Sequence, residues 1–86
     1  MRHFASGDFW KAFGTLPPHV QEAARRSFDL LKANPSHPSL HLKQIGRLWS
    51  ARVSLNHRAL GVAANGDILW FWIGSHADYD QMIKRR

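Results

Sequence analysis

The chain has 86 residues, 44% of them hydrophobic, which corresponds to one small domain with a single core, and we expect it to cover residues 1–86. It has no cysteine, which excludes disulfide bonds and thiolate chemistry, and its formal charge of +6 favours an anionic partner such as nucleic acid or an acidic protein. The first residues, MRHFASGDFW, lack the apolar segment of a signal peptide, and no apolar run has membrane-spanning length, so we expect a cytoplasmic protein with no membrane partner.

Two helices are predicted in the first part of the chain, after a short strand over residues 2–5. Asp8 is a suitable cap for a helix over residues 8–14. Pro18 suits the first turn of a second helix, because the N–H that proline lacks would have no partner there, and this helix ends before Pro35. Its apolar residues repeat at helical spacing and form one inward stripe: Val20, Ala23, Ala24, Phe28 and Leu31.

Four further strands are predicted in the rest of the chain. Alternation of apolar and polar residues predicts strands over residues 40–45, 48–54 and 57–63. The last, Ile68–Ile73, is wholly apolar and is typical of a strand buried on both faces inside a sheet. The predicted fold class is therefore α+β: two N-terminal antiparallel helices packed on a mainly antiparallel sheet of 3–5 strands, with a short C-terminal helix starting at Ser75.

The turn between the last two strands predicts their register. Asn65-Gly66 is the strongest two-residue hairpin signal, and it pairs Ala64 with Asp67. An uninterrupted ladder then predicts four further pairs: Gly61 with Trp70, Leu60 with Phe71, Ala59 with Trp72 and Arg58 with Ile73. We expect the face that carries three of the tryptophans to lie beneath the helices as core: Trp49, Trp70 and Trp72.

Two arginines face each other in this arrangement. A turn centred on Leu55 pairs Arg52 with Arg58 on adjacent strands. Like charges directly opposite each other repel, so the pair is either solvated or used to hold an anion.

Polar residues follow the most apolar strand directly. Ser75 and Asp78 have the spacing of a capping box, although Asp is a weaker partner than Glu. His76 and Tyr79 are three residues apart and share one face of the first helical turn.

Segments with these features occur in a characteristic order: FWKAFGTLPPHVQEAA, LLKANPSHPSL, LHLKQI, LWSARV, HRALGV and WFWIGSHADYDQMI. Over about residues 8–83 the chain resembles the RelE/ParE toxin superfamily of type II toxin–antitoxin modules. The resemblance implies a RelE-like fold and a basic toxin that is held inactive by a cognate antitoxin, expected as an acidic amphipathic segment. In the RelE branch the toxin enters the ribosomal A site and cuts mRNA without metal, whereas in the ParE branch it poisons DNA gyrase and cuts nothing.

Metal-free cleavage of a phosphodiester needs a base for the 2′-hydroxyl, cations for the charge on the phosphate and an acid for the leaving group. The sequence offers catalytic candidates for these roles: Arg58 and Arg52 to clamp the phosphate, His76 as acid or base, and Tyr79 to partner it or stack a base. The resemblance implies that the position of Arg58 is catalytic and that a basic residue near Arg52 contributes.

Lys43 and His41, on the neighbouring predicted strand, are substrate-binding candidates. We expect no metal site and no cofactor, because no cluster of ligands has metal spacing. Structural roles compete with the catalytic roles of two of these residues. His76 is about equally well explained as a histidine that is hydrogen-bonded to the local backbone. Tyr79 is better explained by packing against the sheet with its hydroxyl at the rim.

The sequence leaves three alternative functions open for this chain. The first is a ribosome-dependent mRNA endonuclease that inhibits translation. The second is a ParE-type gyrase poison without nuclease activity, in which the same residues are contacts. The third is a non-toxic relic that keeps the fold and binds an antitoxin.

Overall fold

The computed structural model of the protein describes residues 2–84. In chain order its elements are β1 (His3–Ala5), α1 (Gly7–Gly14), α2 (Pro18–Ala33), a 3-10 helix (Pro38–Leu40), β2 (Lys43–Ile45), β3 (Leu48–Ser54), β4 (His57–Ala64), β5 (Asp67–Ser75) and α3 (His76–Lys84). The strands form one five-stranded sheet in the order β1-β5-β4-β3-β2, in which β1 is parallel to β5 and the other pairs are antiparallel. The predicted α+β fold is confirmed. No helix within the described part of the chain is both long and apolar enough to cross a membrane.

The two N-terminal helices follow the prediction closely, with one difference in capping. The side chain of Ser6, rather than that of Asp8, caps α1, because Ser6 Oγ accepts a hydrogen bond from the Phe9 N–H at 3.2 Å. The helix therefore begins one residue earlier than predicted, and Asp8 lies in its first turn, where a negative charge is favourable. Pro18 begins α2 as predicted.

The strand predicted over residues 40–45 is wrong in its first half. Pro38–Leu40 form a turn of 3-10 helix, in which His37 Nδ1 accepts a hydrogen bond from the Ser39 N–H at 3.2 Å. His41 then adopts a left-handed conformation, with φ 42° and ψ 44°. Leu40, at 1% exposure, is buried as an anchor of this turn rather than as a strand residue. Local capping by a side chain has overridden the alternating pattern.

The hairpin of β4 and β5 has the predicted register at its turn and loses it halfway. Ala64 pairs with Asp67 and Gly61 with Trp70, but Phe71 is then an extra residue without a partner on β4. Beyond this bulge the pairs are Leu60 with Trp72, Ala59 with Ile73 and Arg58 with Gly74, so the three pairs predicted there are wrong. The physical reason is that an isolated glycine in a strand, here Gly61, is a typical site for a bulge.

The main core lies between the sheet and the helices α1 and α2. Trp70 and Ile73 project there beside the small side chains of Ala51 and Ala59, and all four are buried. Trp49 packs against this core as predicted, whereas Trp72 lies on the opposite face because the bulge has reversed its direction. Ile73 takes the core position that the sequence assigned to Trp72.

Candidate anion-binding site

The face of the sheet opposite α1 and α2 includes two cross-strand rows that carry the basic residues, and we call it the arginine face. One row follows the observed pairing across β2, β3, β4 and β5: Lys43, Ser50, Leu60 and Trp72. The next row is formed by Arg52, Arg58 and Gly74. Paired residues of adjacent strands project from the same side of a sheet, so both rows share one surface. The predicted pairing of Arg52 with Arg58 is confirmed.

Arg58 is buried, with 5% of its surface exposed, and its guanidinium is held by neutral groups. Its Nε donates to Ser50 Oγ at 2.9 Å, and its Nη2 donates to the main-chain oxygen of His41 at 3.1 Å. The guanidinium also lies over the ring of Tyr79, 5.1 Å from the ring centroid. Within residues 2–84 no carboxylate oxygen is within 4.0 Å of it. A buried positive charge without a counter-ion is costly, so it favours an anion nearby.

Arg52 is half-buried beside Arg58 and has a different neighbour. Its Nη1 is 3.3 Å from Nε2 of His41. In the described part of the chain it too has no carboxylate within ion-pair distance. The ordinary way to separate two facing arginines is to place an acidic side chain between them. Here the two guanidinium groups have only neutral hydrogen-bond partners, those of His41 and Ser50, among the described residues. This arrangement suits the binding of an external anion.

The start of α3 places an imidazole at the edge of the same site. Ser75 Oγ accepts a hydrogen bond from the Asp78 N–H at 3.1 Å, so β5 passes into α3 without a loop. The His76 side chain is half exposed, and its Nδ1 lies 3.2 Å from Asp80 Oδ2. A carboxylate on Nδ1 orients the ring and leaves Nε2 for a second partner.

Tyr79 packs its ring against Arg58 and buries its hydroxyl. The residue is 4% exposed, and the hydroxyl oxygen has no hydrogen-bond partner within the described residues. The hydroxyl is therefore not at the rim, where its packing against the sheet was expected to leave it. Leaving a buried hydroxyl without a hydrogen-bond partner lowers the stability of the fold by about 1–3 kcal/mol. A residue that is kept at such a cost is a candidate for a functional role.

The six residues predicted from the sequence all lie on or beside the arginine face. Five of them form a continuous series of contacts: His76 with Tyr79, whose ring centroids are 5.6 Å apart, Tyr79 with Arg58, Arg58 with His41, and His41 with Arg52. Lys43 is exposed and lies on the same face, in the row that contains Ser50. The structure therefore brings together residues that are up to 38 positions apart in the sequence, from His41 to Tyr79.

Three residues of this site were missed in the sequence. Ser50 precedes Arg52 by two positions on β3, and alternation alone places its hydroxyl beside an arginine. Asp80 follows His76 by four residues, which is the spacing of a helical side-chain pair. Trp72 gave no such signal, because only the bulge turns its ring to this face.

Trp72 is half-buried and lies across Gly74, next to the arginine pair. A Cβ atom added to Gly74 would lie 2.5 Å from Cζ2 of Trp72, so only glycine leaves room for the indole in this position. The arginine face thus has an aromatic wall on one side and exposed basic groups on the other.

No model of a protein family and no curated protein matches this sequence. Its structure is similar to solved toxin structures. For the RelB–RelE antitoxin–toxin complex from Methanococcus jannaschii the TM-score is 0.71 at 13% identity, covering 92% of this chain and 96% of that chain. For YafQ from E. coli the TM-score is 0.67 at 17% identity, covering 92% of this chain and 98% of that chain. For the YoeB/ParE toxin from Agrobacterium tumefaciens the TM-score is 0.66 at 14% identity, covering 88% of this chain and 99% of that chain. The chain therefore has the fold of the RelE/ParE toxin superfamily.

Proposed function

We propose that this chain is the toxin of a type II toxin–antitoxin module and that it cleaves mRNA on the ribosome without a metal ion. The observation that carries the proposal is the facing pair Arg52 and Arg58, which has no carboxylate within 4.0 Å in residues 2–84. Two guanidinium groups on adjacent strands can bind the charged oxygens of a phosphodiester and stabilise the further negative charge that develops during cleavage. The toxins among the structural neighbours support the first part of the proposal.

In this reaction the 2′-oxygen attacks the adjacent phosphorus and the bond to the 5′-oxygen breaks, which leaves a 2′,3′-cyclic phosphate and a 5′-hydroxyl. Arg52 and Arg58 stabilise the negative charge that grows on the phosphate oxygens. His76, oriented by Asp80, offers Nε2 either to take the 2′-hydroxyl proton or to protonate the 5′-oxygen. Both proton transfers are needed, so one of them falls to a second group or to water.

The remaining residues of the arginine face have supporting roles in the proposal. The Tyr79 ring stabilises the guanidinium of Arg58 by a cation–π contact. Lys43, exposed in the next row, provides a contact for the RNA backbone. Trp72 offers an apolar surface beside the phosphate site on which a base can stack.

We expect the cognate antitoxin to place an acidic amphipathic segment on the arginine face. The formal charge of +6 and the uncompensated arginine pair favour such a partner. The affinity of the complex should fall as salt concentration rises, because screening weakens attraction between exposed charges. Equal affinity in low and high salt, measured by titration calorimetry with the purified antitoxin, would contradict an electrostatic contribution.

Primer extension on mRNA from cells that briefly express the protein tests the proposal. We expect discrete cuts within translated regions for the wild type and for Arg26→Ala, since Arg26 is an exposed residue of α2 whose ion-pair partner is Glu22, away from the arginine face. In Arg52→Ala and Arg58→Ala the cuts should weaken by about 10²–10³-fold, the typical loss for one charge-stabilising donor. Thermal unfolding of each purified variant separates loss of chemistry from loss of fold, which matters most for the buried Arg58.

The burial of Arg58 favours a second candidate function, poisoning of DNA gyrase without cleavage. Arg58 is 5% exposed as a residue and two of its guanidinium nitrogens are bonded to the protein, so it is suited to shaping a contact surface. Intact mRNA together with accumulating DNA breaks would select this function. Harmless expression in the absence of any antitoxin would instead indicate a relic that keeps only the binding role.

A further inference from the structure

We propose that His41 is a positioning residue that holds Arg52 and Arg58 together as one anion-binding unit. The inference rests on the proposed function of the arginine face. His41 reaches the two arginines through different groups: its ring Nε2 is 3.3 Å from Arg52 Nη1, and its main-chain oxygen accepts from Arg58 Nη2 at 3.1 Å. In this role His41 acts through the arginines and does not itself contact the RNA, which revises the substrate-binding role expected from the sequence.

The backbone of His41 supports a role that depends on its position. Its φ of 42° lies in the left-handed region, which is uncommon for residues other than glycine. Within the described chain the other non-glycine residue with positive φ is Asn65, which is explained by its hairpin turn. His41 ends the 3-10 turn Pro38–Leu40, where its N–H donates to the Pro38 oxygen at 3.2 Å. A strained residue of this kind persists where its surroundings fix it, and such residues cluster at functional sites.

The segment before His41 is fixed by its own contacts. Leu40 is 1% exposed, and the His41 N–H donates to the Pro38 oxygen at 3.2 Å. His37 Nδ1 accepts from the Ser39 N–H and lies 2.8 Å from Ser39 Oγ. The turn is therefore ordered before any ligand binds. Its contacts with Arg52 and Arg58 position the two arginine side chains in advance.

The contact with Arg52 suits one tautomer of the neutral His41 ring. An arginine only donates hydrogen bonds, so Nε2 must be the acceptor and the proton of the neutral ring must sit on Nδ1. A residue without this acceptor leaves the side chain of Arg52 unrestrained. The main-chain oxygen that holds Arg58 remains in every variant of His41. A substitution at this position therefore separates the positioning of Arg52 from that of Arg58.

The variant that uses this separation is His41→Gly, which tolerates the left-handed backbone, keeps the main-chain oxygen and removes the ring. The matched control is Asn65→Gly, which relaxes the same backbone conformation at φ 53° in the turn between β4 and β5. We expect both variants to melt at or above the wild-type temperature. Ribosome-dependent mRNA cleavage should fall at least tenfold in His41→Gly and stay unchanged in Asn65→Gly.

Two further measurements distinguish positioning from general structural support. In a double-mutant cycle, His41→Gly should add little to the loss already caused by Arg52→Ala, because both remove the same restrained guanidinium. In ¹⁵N NMR spectra the wild type should show His41 as the Nδ1–H tautomer and an ordered Arg52 side chain. The Arg52 signal should acquire the relaxation of a mobile group in His41→Gly, while that of Arg58 stays ordered.

Wild-type cleavage by His41→Gly would overturn the inference and leave the proposed function standing. So would an Arg52 side chain that is equally ordered with and without the ring. If Arg52→Ala and Arg58→Ala both keep full toxicity, the proposed function fails at this site. The NMR comparison still decides the role of His41 in that case, because it needs no activity.

Discussion

The two faces of the sheet are built on different principles. Beneath α1 and α2 the buried side chains are apolar, with the Trp70 ring set beside Ala51 and Ala59. On the arginine face lie the two buried polar residues of the described chain, Ser50 at 0% and Arg58 at 5% exposure. The unpaired hydroxyl of Tyr79 lies there as well.

This difference separates stability from function along single strands. In β4, Ala59 serves the core and its neighbour Arg58 serves the opposite face, so alternate residues have different tasks. A core needs only apolar volume, whereas a buried charge and an unpaired hydroxyl reduce stability and persist where they have a use. Substitutions of the apolar residues on the helix side should therefore change folding, and those of the polar residues on the arginine face should change activity more than folding.

The largest expected effect is that of Trp70→Ala, which removes a ring that is 2% exposed from the core. We expect a loss of about 3–5 kcal/mol in the free energy of unfolding, measured by urea denaturation. Trp72→Ala is the matched variant on the arginine face and should cost clearly less, because Trp72 is only partly buried and lies outside the main core. Equal losses would contradict the assignment of the two tryptophans to different faces.

Two glycines allow the same comparison with a single added methyl group. In Gly61→Ala the new Cβ would lie 2.7 Å from Cγ2 of Ile68 and 3.1 Å from the main-chain oxygen of Leu69, where little can move. We expect a destabilisation of about 1–3 kcal/mol, the usual cost of overpacking. In Gly74→Ala the obstacle is the far end of the Trp72 ring, which can turn away.

Gly74→Ala should therefore be the milder of the two in thermal unfolding, and it should displace Trp72 from beside the arginines. Tryptophan fluorescence would record that displacement. If Gly74→Ala instead lowered the melting temperature more than Gly61→Ala, the indole of Trp72 would be held more tightly than its partial burial indicates.

Tyr79→Phe should raise stability slightly while testing the use of the hydroxyl. The substitution removes a buried oxygen without a partner and keeps the ring beneath Arg58, so we expect a gain of about 1 kcal/mol. For a chain of this length such a gain raises the melting temperature by about 4–8 °C. If the hydroxyl meets RNA in the complex, mRNA cleavage falls in the same variant. A lower melting temperature would mean that the hydroxyl has a partner in solution.

The smallest expected effect is a pH dependence on the helix side. Trp70 Nε1 donates to His3 Nδ1 at 3.2 Å, and burial, the largest cause, lowers the pKa of His3 from its usual 6.5. Because the folded pKa is the lower one, the unfolded chain binds the proton more readily in acid. The stabilisation is complete above pH 6.5 and declines as the pH falls from there through the folded pKa.

His3→Gln should flatten this part of the pH–stability profile, since an amide oxygen accepts from Trp70 at every pH. His19→Gln, at an exposed position of α2, serves as the control and should keep the wild-type slope. Identical slopes in all three proteins would assign the acid sensitivity to other histidines.

The parts of the fold that were predicted correctly rest on signals repeated over many residues. The apolar stripe of α2, the buried run of β5 and the Asn65-Gly66 turn each gave the right element. The pairing of Arg52 with Arg58 was predicted from the turn between their strands. This pair is the centre of the candidate site.

The errors come from events that involve one or two residues. The bulge at Phe71 lies inside a wholly apolar segment, so alternation could not reveal it, although Gly61 marked the place. His41 adopts its left-handed conformation at the end of the 3-10 turn Pro38–Leu40, and the alternating pattern gave no sign of that turn. Asp8 was predicted as the cap of α1, but the side chain of Ser6 has the hydrogen-bond geometry and caps the helix instead.

The position of β5 in the sheet has a consequence for synthesis of the chain. Among the strands of residues 2–84 it is made last, yet it lies between β4 and β1, and within these residues β1 pairs with β5 alone. A nascent chain that ends before Asp67 therefore has no partner for its first strand and no Trp70 for its core. The complete sheet can therefore form only once β5 has left the ribosome, and the arginine face assembles no earlier than that.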